Sequence, residues 1–253
     1  MPASGAQRSR GGSSEPAVRL AEELVQRLSA LGTHERADKE RAYLRSELRH
    51  LGVTVPAIRR STMALLREHP ELDRDGVLGL VEALWSEPVH ERRMAAIEVL
   101  DARSQLLLSE DVPLLERLLR DCRTWALVDG LAASVVGSLR ERFPADLEPT
   151  LEAWSRDPDL WLRRASLLAY LVALRSGRGD FDAFARKADR MLDERAAFIR
   201  KAIGWVLRDT GRRRPELVTG WLEPRLGRAA GLTIREAVKH LPEPDRQRLL
   251  AAP

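Results

Sequence analysis

Four segments of the chain repeat one pattern of charge, and the side chains it places together suit phosphate chemistry with one exception. Arg93-Met94-Ala95, Arg163-Arg164-Ala165, Arg200-Lys201-Ala202 and Arg235-Glu236-Ala237 each open an apolar stretch with a basic and a small residue. The intervals from Ala95 to Ala165, Ala165 to Ala202 and Ala202 to Ala237 are 70, 37 and 35 residues, and half of the first lands on Gly130. Asp129 therefore stands in the slot that Arg164 and Lys201 fill elsewhere. The repeating stretches also carry Arg92, Arg208 and Lys239, and Arg59 and Arg60 add charge from an earlier helix. Guanidinium groups are rigid and bidentate, so a strip of them is the footprint expected for a phosphate backbone. The structural alternative is that these arginines pair with neighbouring acids on a solvated face.

The exception is the carboxylate. Trp125 and Asp129 are four apart and share one helix face. The flanking residues are apolar (Leu127, Val128, Leu131, Ala132, Ala133, Val135), and Asp129 lies past the first turn, where an acid would serve as a cap. Its structural partner would be an arginine one repeat on, such as Arg164. Trp161 precedes Arg164 by three residues and Trp205 follows Ala202 by three, so indoles recur near this register. A core position is the ordinary reading of any one tryptophan.

Composition bounds what these residues can belong to. At 253 residues with 44% hydrophobic content the chain can bury a real core, and no apolar run is long enough for a membrane span. Lys39, Lys187, Lys201 and Lys239 are the only lysines among 42 basic residues, and the net charge is +4. That balance permits a nucleic-acid partner without requiring one. Cys122 is the single cysteine, which excludes an internal disulfide or thiolate cluster. The histidines His34, His50, His69, His90 and His240 show no paired metal-ligand spacing, so neither metal nor cofactor is expected. There is no glycine-rich phosphate loop and no nucleophile elbow. Residues 1–14 are rich in Ser, Gly and Arg, which predicts a disordered arm rather than a signal peptide and makes a reducing cytoplasm the default location.

The elements that position these residues all read at helical period. Helices are expected over 15–31, 34–51, 55–68, 74–85, 90–107, 113–120, 125–143, 145–154, 160–175, 181–192, 196–210, 215–226 and 234–241, with a short tail beyond. No strand pattern emerges; Leu232-Thr233-Ile234 is too short. Short, proline-marked connections at a period of roughly 35–45 residues predict an all-α solenoid of antiparallel helix pairs, a single domain over 15–253 with a basic concave face.

Taken together and in order, Trp125-Ala-Leu-Val-Asp129, Trp161-Leu-Arg-Arg164-Ala-Ser, Ile199-Arg-Lys-Ala-Ile-Gly-Trp205-Val-Leu-Arg208 and Arg235-Glu-Ala-Val-Lys-His240 resemble the AlkD-type DNA alkylation repair glycosylases, a HEAT-like repeat family. The resemblance runs from about Tyr43 to Lys239. It implies that Asp129 is the catalytic carboxylate and that Trp125 and Trp205 bracket the deoxyribose of the lesion. It implies an active-site arginine at Arg164 contacting the DNA backbone, a cleft aromatic at Tyr43 and a basic contact at Arg59. Arg93, Arg163, Lys201, Arg208, Arg235 and Lys239 complete the expected DNA-binding set. At Thr54-Val55 the family type has two polar residues reaching the opposite strand, and valine cannot hydrogen-bond there.

The chemistry so implied is hydrolysis of the N-glycosidic bond of cationic alkylated purines in duplex DNA, without base flipping. An N3- or N7-alkylpurine already carries positive charge and leaves without protonation, so no general acid is needed. Asp129 would stabilise the oxocarbenium-like sugar and position water, as glycoside-cleaving carboxylates do. Indole faces would add a cation–π contribution on the order of 1–2 kcal/mol. No lysine is well placed for Schiff-base strand cleavage, which implies a monofunctional enzyme acting as a monomer. Other readings stay open: a relative specialised for bulky natural-product adducts in a self-resistant producer, a sensor of distorted DNA, or a non-catalytic scaffold binding DNA or protein. An unpaired acid in a basic cleft would favour the enzyme over a pure phosphate binder.

Overall fold

The computed structural model describes residues 15–251, so the arm expected over 1–14 lies outside the described residues. The described residues form α-helices joined by short 3-10 and π segments, and their one extended pairing is an isolated parallel bridge between Arg49 and Val89. The protein is all-α, as the helical periodicity predicts. None of the described helices is long and apolar enough to cross a membrane. The described residues divide into two compact units, one of 15–43 with 48–106, the other of 44–47 with 107–251.

The first unit contains α1 (Glu15–Ser29), α2 (His34–Leu44), α3 (Val55–Glu68), α4 (Arg74–Trp85) and α5 (His90–Ala102). Both α1 and α5 pack on α3 and α4, burying Leu24, Leu28, Leu65, Leu80, Leu84 and Val99. Local chemistry sets the helix starts. Thr54 caps α3 by accepting from the Ala57 N–H at 3.3 Å, with Pro56 in the first turn. Asp73 caps α4 through the Gly76 N–H at 2.9 Å. Thr54 thus serves its own helix, and Val55 beside it is exposed.

α2 ends at Leu44, not near residue 51 as its periodicity suggests. Arg45 follows with a left-handed φ of 49°, which ends the helix there. Fully buried Glu91, on α5, accepts the N–H groups of Leu51, Gly52 and Val53 at 2.8, 2.7 and 3.2 Å. That contact fixes the backbone between α2 and α3. Gly52 takes φ +77°, and a Cβ there would lie 2.0 Å from the Thr33 carbonyl oxygen. Gly52→Ala combines left-handed strain with a backbone overlap, so it is expected to destabilise the fold by about 2 kcal/mol or more in urea unfolding.

The second unit contains α6 (Val112–Arg120), α7 (Trp125–Gly130), α8 (Gly137–Arg142), α9 (Pro144–Trp154), α10 (Leu160–Leu168), α11 (Leu171–Arg175), α12 (Phe181–Arg190), α13 (Ala197–Gly211), α14 (Pro215–Leu222), α15 (Gly231–Ala237) and α16 (Glu243–Ala251). α10 packs on α6, α7, α9 and α13, and α13 packs in turn on α11, α14 and α15. The single helix expected over 125–143 is interrupted by a π segment at Leu131–Val136, where the Gly137 N–H reaches back to the Ala132 carbonyl. Gly137 sits where a Cβ would meet the Ala169 carbonyl oxygen at 3.1 Å, so its small size permits this close approach. The helix expected over 160–175 likewise divides after Leu168, and α5 stops five residues before its expected end at 107. α16 takes the place of the expected tail.

Arginine pairs join consecutive stretches of helix at a near-constant sequence separation. Arg59 with Glu98, Arg120 with Asp157, Arg164 with Asp129, Arg175 with Asp209 and Arg225 with Asp189 are 39, 37, 35, 34 and 36 residues apart. That spacing lies close to the 35–37-residue interval of the repeating charge pattern. Much of the arginine content therefore ties successive helical layers together.

Candidate active site

α7 begins at Trp125, directly after Arg123 turns the chain with φ 57° and Thr124 supplies an extended N-cap. Trp125 and Asp129 project from this short helix, both partly exposed, while Leu127 and Val128 between them are fully buried. The π segment follows at once. Such segments often occur at functional sites because they rotate one helical turn against the next.

The Asp129 carboxylate receives both arms of Arg164, at 2.6 Å from Nε to Oδ1 and 2.9 Å from Nη2 to Oδ2. Their side chains are 12% and 5% exposed. The remaining terminal nitrogen of Arg164, Nη1, donates to the Phe198 carbonyl in the first turn of α13. The guanidinium carbon also lies 5.8 Å from the Phe198 ring centroid, and Trp161 packs on that ring at 5.2 Å. Burial raises the Asp129 carboxyl above the usual aspartate range, and the Arg164 guanidinium pulls it back. Asp129 is thus a paired acid, and the expectation of an unpaired carboxylate does not describe it. Arg164 points its guanidinium at Asp129 and Phe198, where the resemblance implied a backbone contact. A buried acid in an apolar helix needs a counter-charge, and the register delivers one 35 residues on.

Trp205 lies on α13 seven residues after Phe198, two helical turns along the same face. Its Nε1–H donates to Asp209 Oδ2 at 3.2 Å, and Arg208 stands 5.9 Å from its ring. Asp209 is buried and also accepts from Arg208 and Arg175 at 3.0 and 2.7 Å. Burial opposes its charge, but those hydrogen bonds outweigh it and hold the carboxyl below the usual range. The anchored indole needs Asp209, which sequence reading missed; its only signal is the Trp-x3-Asp spacing that also flags Trp125 and Asp129. Phe198 was missed too, because it acts through a backbone carbonyl.

The remaining expected contacts divide sharply. Arg93 is 3% exposed with its guanidinium 5.1 Å from the Trp85 ring, so it belongs to the core of the first unit and not to a DNA-facing surface. Arg92 is buried beside it and donates to the Leu84 and Ala83 carbonyls. Arg163 binds Glu194 and the Asp157 and Pro158 carbonyls, and Arg208 pairs with Asp209 and Glu236. Arg59 is paired bidentately with Glu98 but remains 61% exposed. Lys239 pairs with Glu236 at the surface. Lys201 and Arg235 are exposed and have no ion-pair partner among the described residues, and Tyr43 is 73% exposed in the first unit. Arg59, Arg163, Arg208 and Lys239 pair with acids as the structural alternative has it, whereas Arg92 and Arg93 are buried in the first unit.

The family model of DNA alkylation repair enzymes matches residues 24–241. The chain belongs to this family. A solved structure described as a "Predicted DNA alkylation repair enzyme from Enterococcus faecalis" superposes on 84% of this chain and 97% of its own, with a TM-score of 0.75 and 22% sequence identity. Likeness at that identity speaks for the fold. No curated protein sequence matches the chain. Membership of the DNA alkylation repair enzyme family supports a role in DNA repair, with DNA as the substrate. It also frames the pair at Asp129 and Arg164 as the feature a repair enzyme of this fold would have to explain.

Proposed function

We propose that this DNA alkylation repair family member is a monofunctional glycosylase, hydrolysing the bond between deoxyribose and a cationic alkylated purine in duplex DNA. The observation that carries the reading is the Asp129 carboxylate, fixed at both oxygens by Arg164 yet partly exposed on the helix face it shares with Trp125. Each carboxylate oxygen has lone pairs left beyond the Arg164 bond, enough to accept from a water or to face a sugar cation. Arg164 fixes the orientation and favours the ionised form, which preorganises negative charge where positive charge develops.

In this mechanism the C1′–N bond breaks first, and its electron pair neutralises the alkylated base as it leaves. The sugar gains oxocarbenium character opposite Asp129. A water held by the same carboxylate adds to C1′, gives up its proton to Asp129, and leaves an abasic site. Trp125 and Trp205 present indole faces to the sugar, and the hydrogen bond to Asp209 keeps the second indole from turning. The duplex is engaged without extruding the base, and the protein acts as a monomer. Lys201 and Arg235 supply phosphate contacts in the second unit; in the first, Tyr43 presents an exposed aromatic ring and Arg59 an exposed guanidinium already paired with Glu98.

The decisive assay is single-turnover base release from duplex DNA containing N7-methylguanine, run beside a bulky N3-adenine adduct. Release of either base with an alkali-labile abasic product supports the enzyme, and the ratio ranks a general repair role against specialisation for bulky adducts. Salt-sensitive DNA binding with no release from either would instead favour the scaffold reading. Lys201→Ala and Arg235→Ala are each expected to weaken binding of undamaged duplex and to lower the slope of log K against log salt by about 0.9. Titration by fluorescence anisotropy at several salt concentrations reads both effects.

A further inference from the structure

Glu40 on α2, His50 in the segment before α3 and Glu91 on α5 converge inside the first unit. One ligand-capable atom of each lies within 4.8 Å of the other two. We propose that these three side chains form a divalent transition-metal site of the zinc type, which ties α2 to the 50–53 segment and to the start of α5. The site is separate from the carboxylate and indoles of the second unit and does not rest on the glycosylase reading.

Three observations carry it. First, the Glu40 and His50 side chains of this cluster carry buried polar atoms without protein partners. Glu40 Oε2 and both ring nitrogens of His50 are buried without a hydrogen bond, as is Nδ1 of His90, which is 2% exposed. A neutral imidazole has one donor and one acceptor, and leaving both unsatisfied out of water is costly. Second, two carboxylates meet here with little cationic compensation. Glu40 Oε1 faces Arg36 at 3.6 Å, and the surrounding charge otherwise comes from Arg41 near His50. A divalent ion would resolve the repulsion between Glu40 and Glu91. Third, the outer support that metal ligands require is already built. Glu91 is fully buried and oriented by three backbone amides, with only one of them on Oε2, so that oxygen keeps a free lone pair. The His50 ring is clamped by the parallel His90 ring at a centroid distance of 4.6 Å and an interplanar angle of 8°.

A neutral imidazole offers one nitrogen lone pair to a metal. One nitrogen and two carboxylate oxygens suit zinc, with water as fourth ligand. Ligand atoms in a tetrahedral zinc site stand about 3.3 Å apart, so the set has to draw in modestly on binding. Glu40 also lines a surface groove with Thr33, Glu35, Arg36, Lys39 and Tyr43, which provides a path of entry.

The test is calorimetric titration of the chelator-treated full chain with Zn²⁺, with thermal unfolding and Co²⁺ absorption in parallel. Saturable one-to-one binding and a raised Tm are expected. Glu40→Gln and His50→Gln should each weaken binding at least about tenfold, the effect seen even for outer-shell losses. His69→Gln, which removes a half-buried histidine outside the cluster paired with Glu71, should leave zinc binding unchanged. The wild-type Co²⁺ spectrum should show nitrogen and oxygen coordination without thiolate charge transfer. Absence of saturable binding, binding unchanged by both Glu40→Gln and His50→Gln, or a thiolate band from Cys122 would each overturn the proposal.

Discussion

Asp129→Asn is expected to lower single-turnover release of N7-methylguanine from duplex DNA by at least about 100-fold, with little change in DNA affinity. The size follows from removing one preorganised charge from a water-poor site, which costs roughly 10²–10³ in rate. Asparagine keeps the volume and can still accept from Arg164 at one oxygen, but it presents an amide donor to the other arm. The substitution removes the charge that faces the sugar but leaves the buried Arg164 guanidinium without its counter-charge, so the rate is read on a variant shown by circular dichroism to be folded. A loss of less than about tenfold in a folded Asn variant would sink the assignment of Asp129 as the group that stabilises the sugar cation. The pH profile of the wild type gives a second reading. Burial raises the Asp129 carboxyl, so release should fall as pH drops through an inflection above the ordinary aspartate value of 3.8. The Asn variant should lack that inflection.

Arg164→Gln is expected to be the most damaging change at the pair, and to act on both stability and pH dependence. The side chains of Asp129 and Arg164 are 12% and 5% exposed, so the partner left behind is a largely desolvated charge. Breaking a buried pair from one side typically costs about 3–5 kcal/mol, and loss of the bond to the Phe198 carbonyl adds to the effect. Urea unfolding monitored by circular dichroism measures it. The sign of the pH dependence is distinctive. Because the folded pKa of Asp129 is raised, its ionised form opposes folding above the unfolded pKa, and that penalty fades as pH falls through the folded value. Removing Arg164 deletes the cause that lowers this pKa, so the stability deficit of the variant should shrink at acid pH. Its base-release profile should shift to higher pH than the wild type. A deficit independent of pH would mean that Asp129 is not the group destabilised by the loss of Arg164.

These two predictions turn on a fact that no single segment of sequence contains. The register analysis placed Asp129 and Arg164 in equivalent slots of successive units, and the structure joins them across 35 residues. What the register left open was whether the acid met a counter-charge or stood unpaired. The same limit applies to the arginine strip. Arg163 and Arg164 are neighbours with indistinguishable side chains, yet one binds Glu194 and the other Asp129. Arg93 has the same type and slot spacing, but its position on α5 puts it over Trp85 in the core.

Helix starts were legible because their chemistry is local. Thr54, Asp73, Asp159 and Asp180 accept amides two or three residues ahead, and each marks a helix that the periodicity also predicts. Helix ends were less legible. α2 stops at Leu44 because Arg45 adopts a left-handed φ of 49°, and the segment beyond is fixed by Glu91, some forty residues away, which takes the amides of residues 51–53. The π segment after Asp129 has no local breaker strong enough to announce it; it accompanies the close approach of Gly137 to the Ala169 carbonyl. The zinc-type cluster escaped motif reading for the same reason, since Glu40, His50 and Glu91 are ten and forty-one residues apart and meet only when α2 and α5 are placed.

The sequence by itself determined the all-α class, the positions of most helices, the repeat interval and the family, because helical period, capping and ordered motifs are written in neighbouring residues. Tertiary structure alone decided which charges are paired, which stand exposed, and how the carboxylate of α7 is held. Those outcomes depend on contacts between residues some 30–40 positions apart, where the energy of an ion pair is set by burial and geometry and not by residue type.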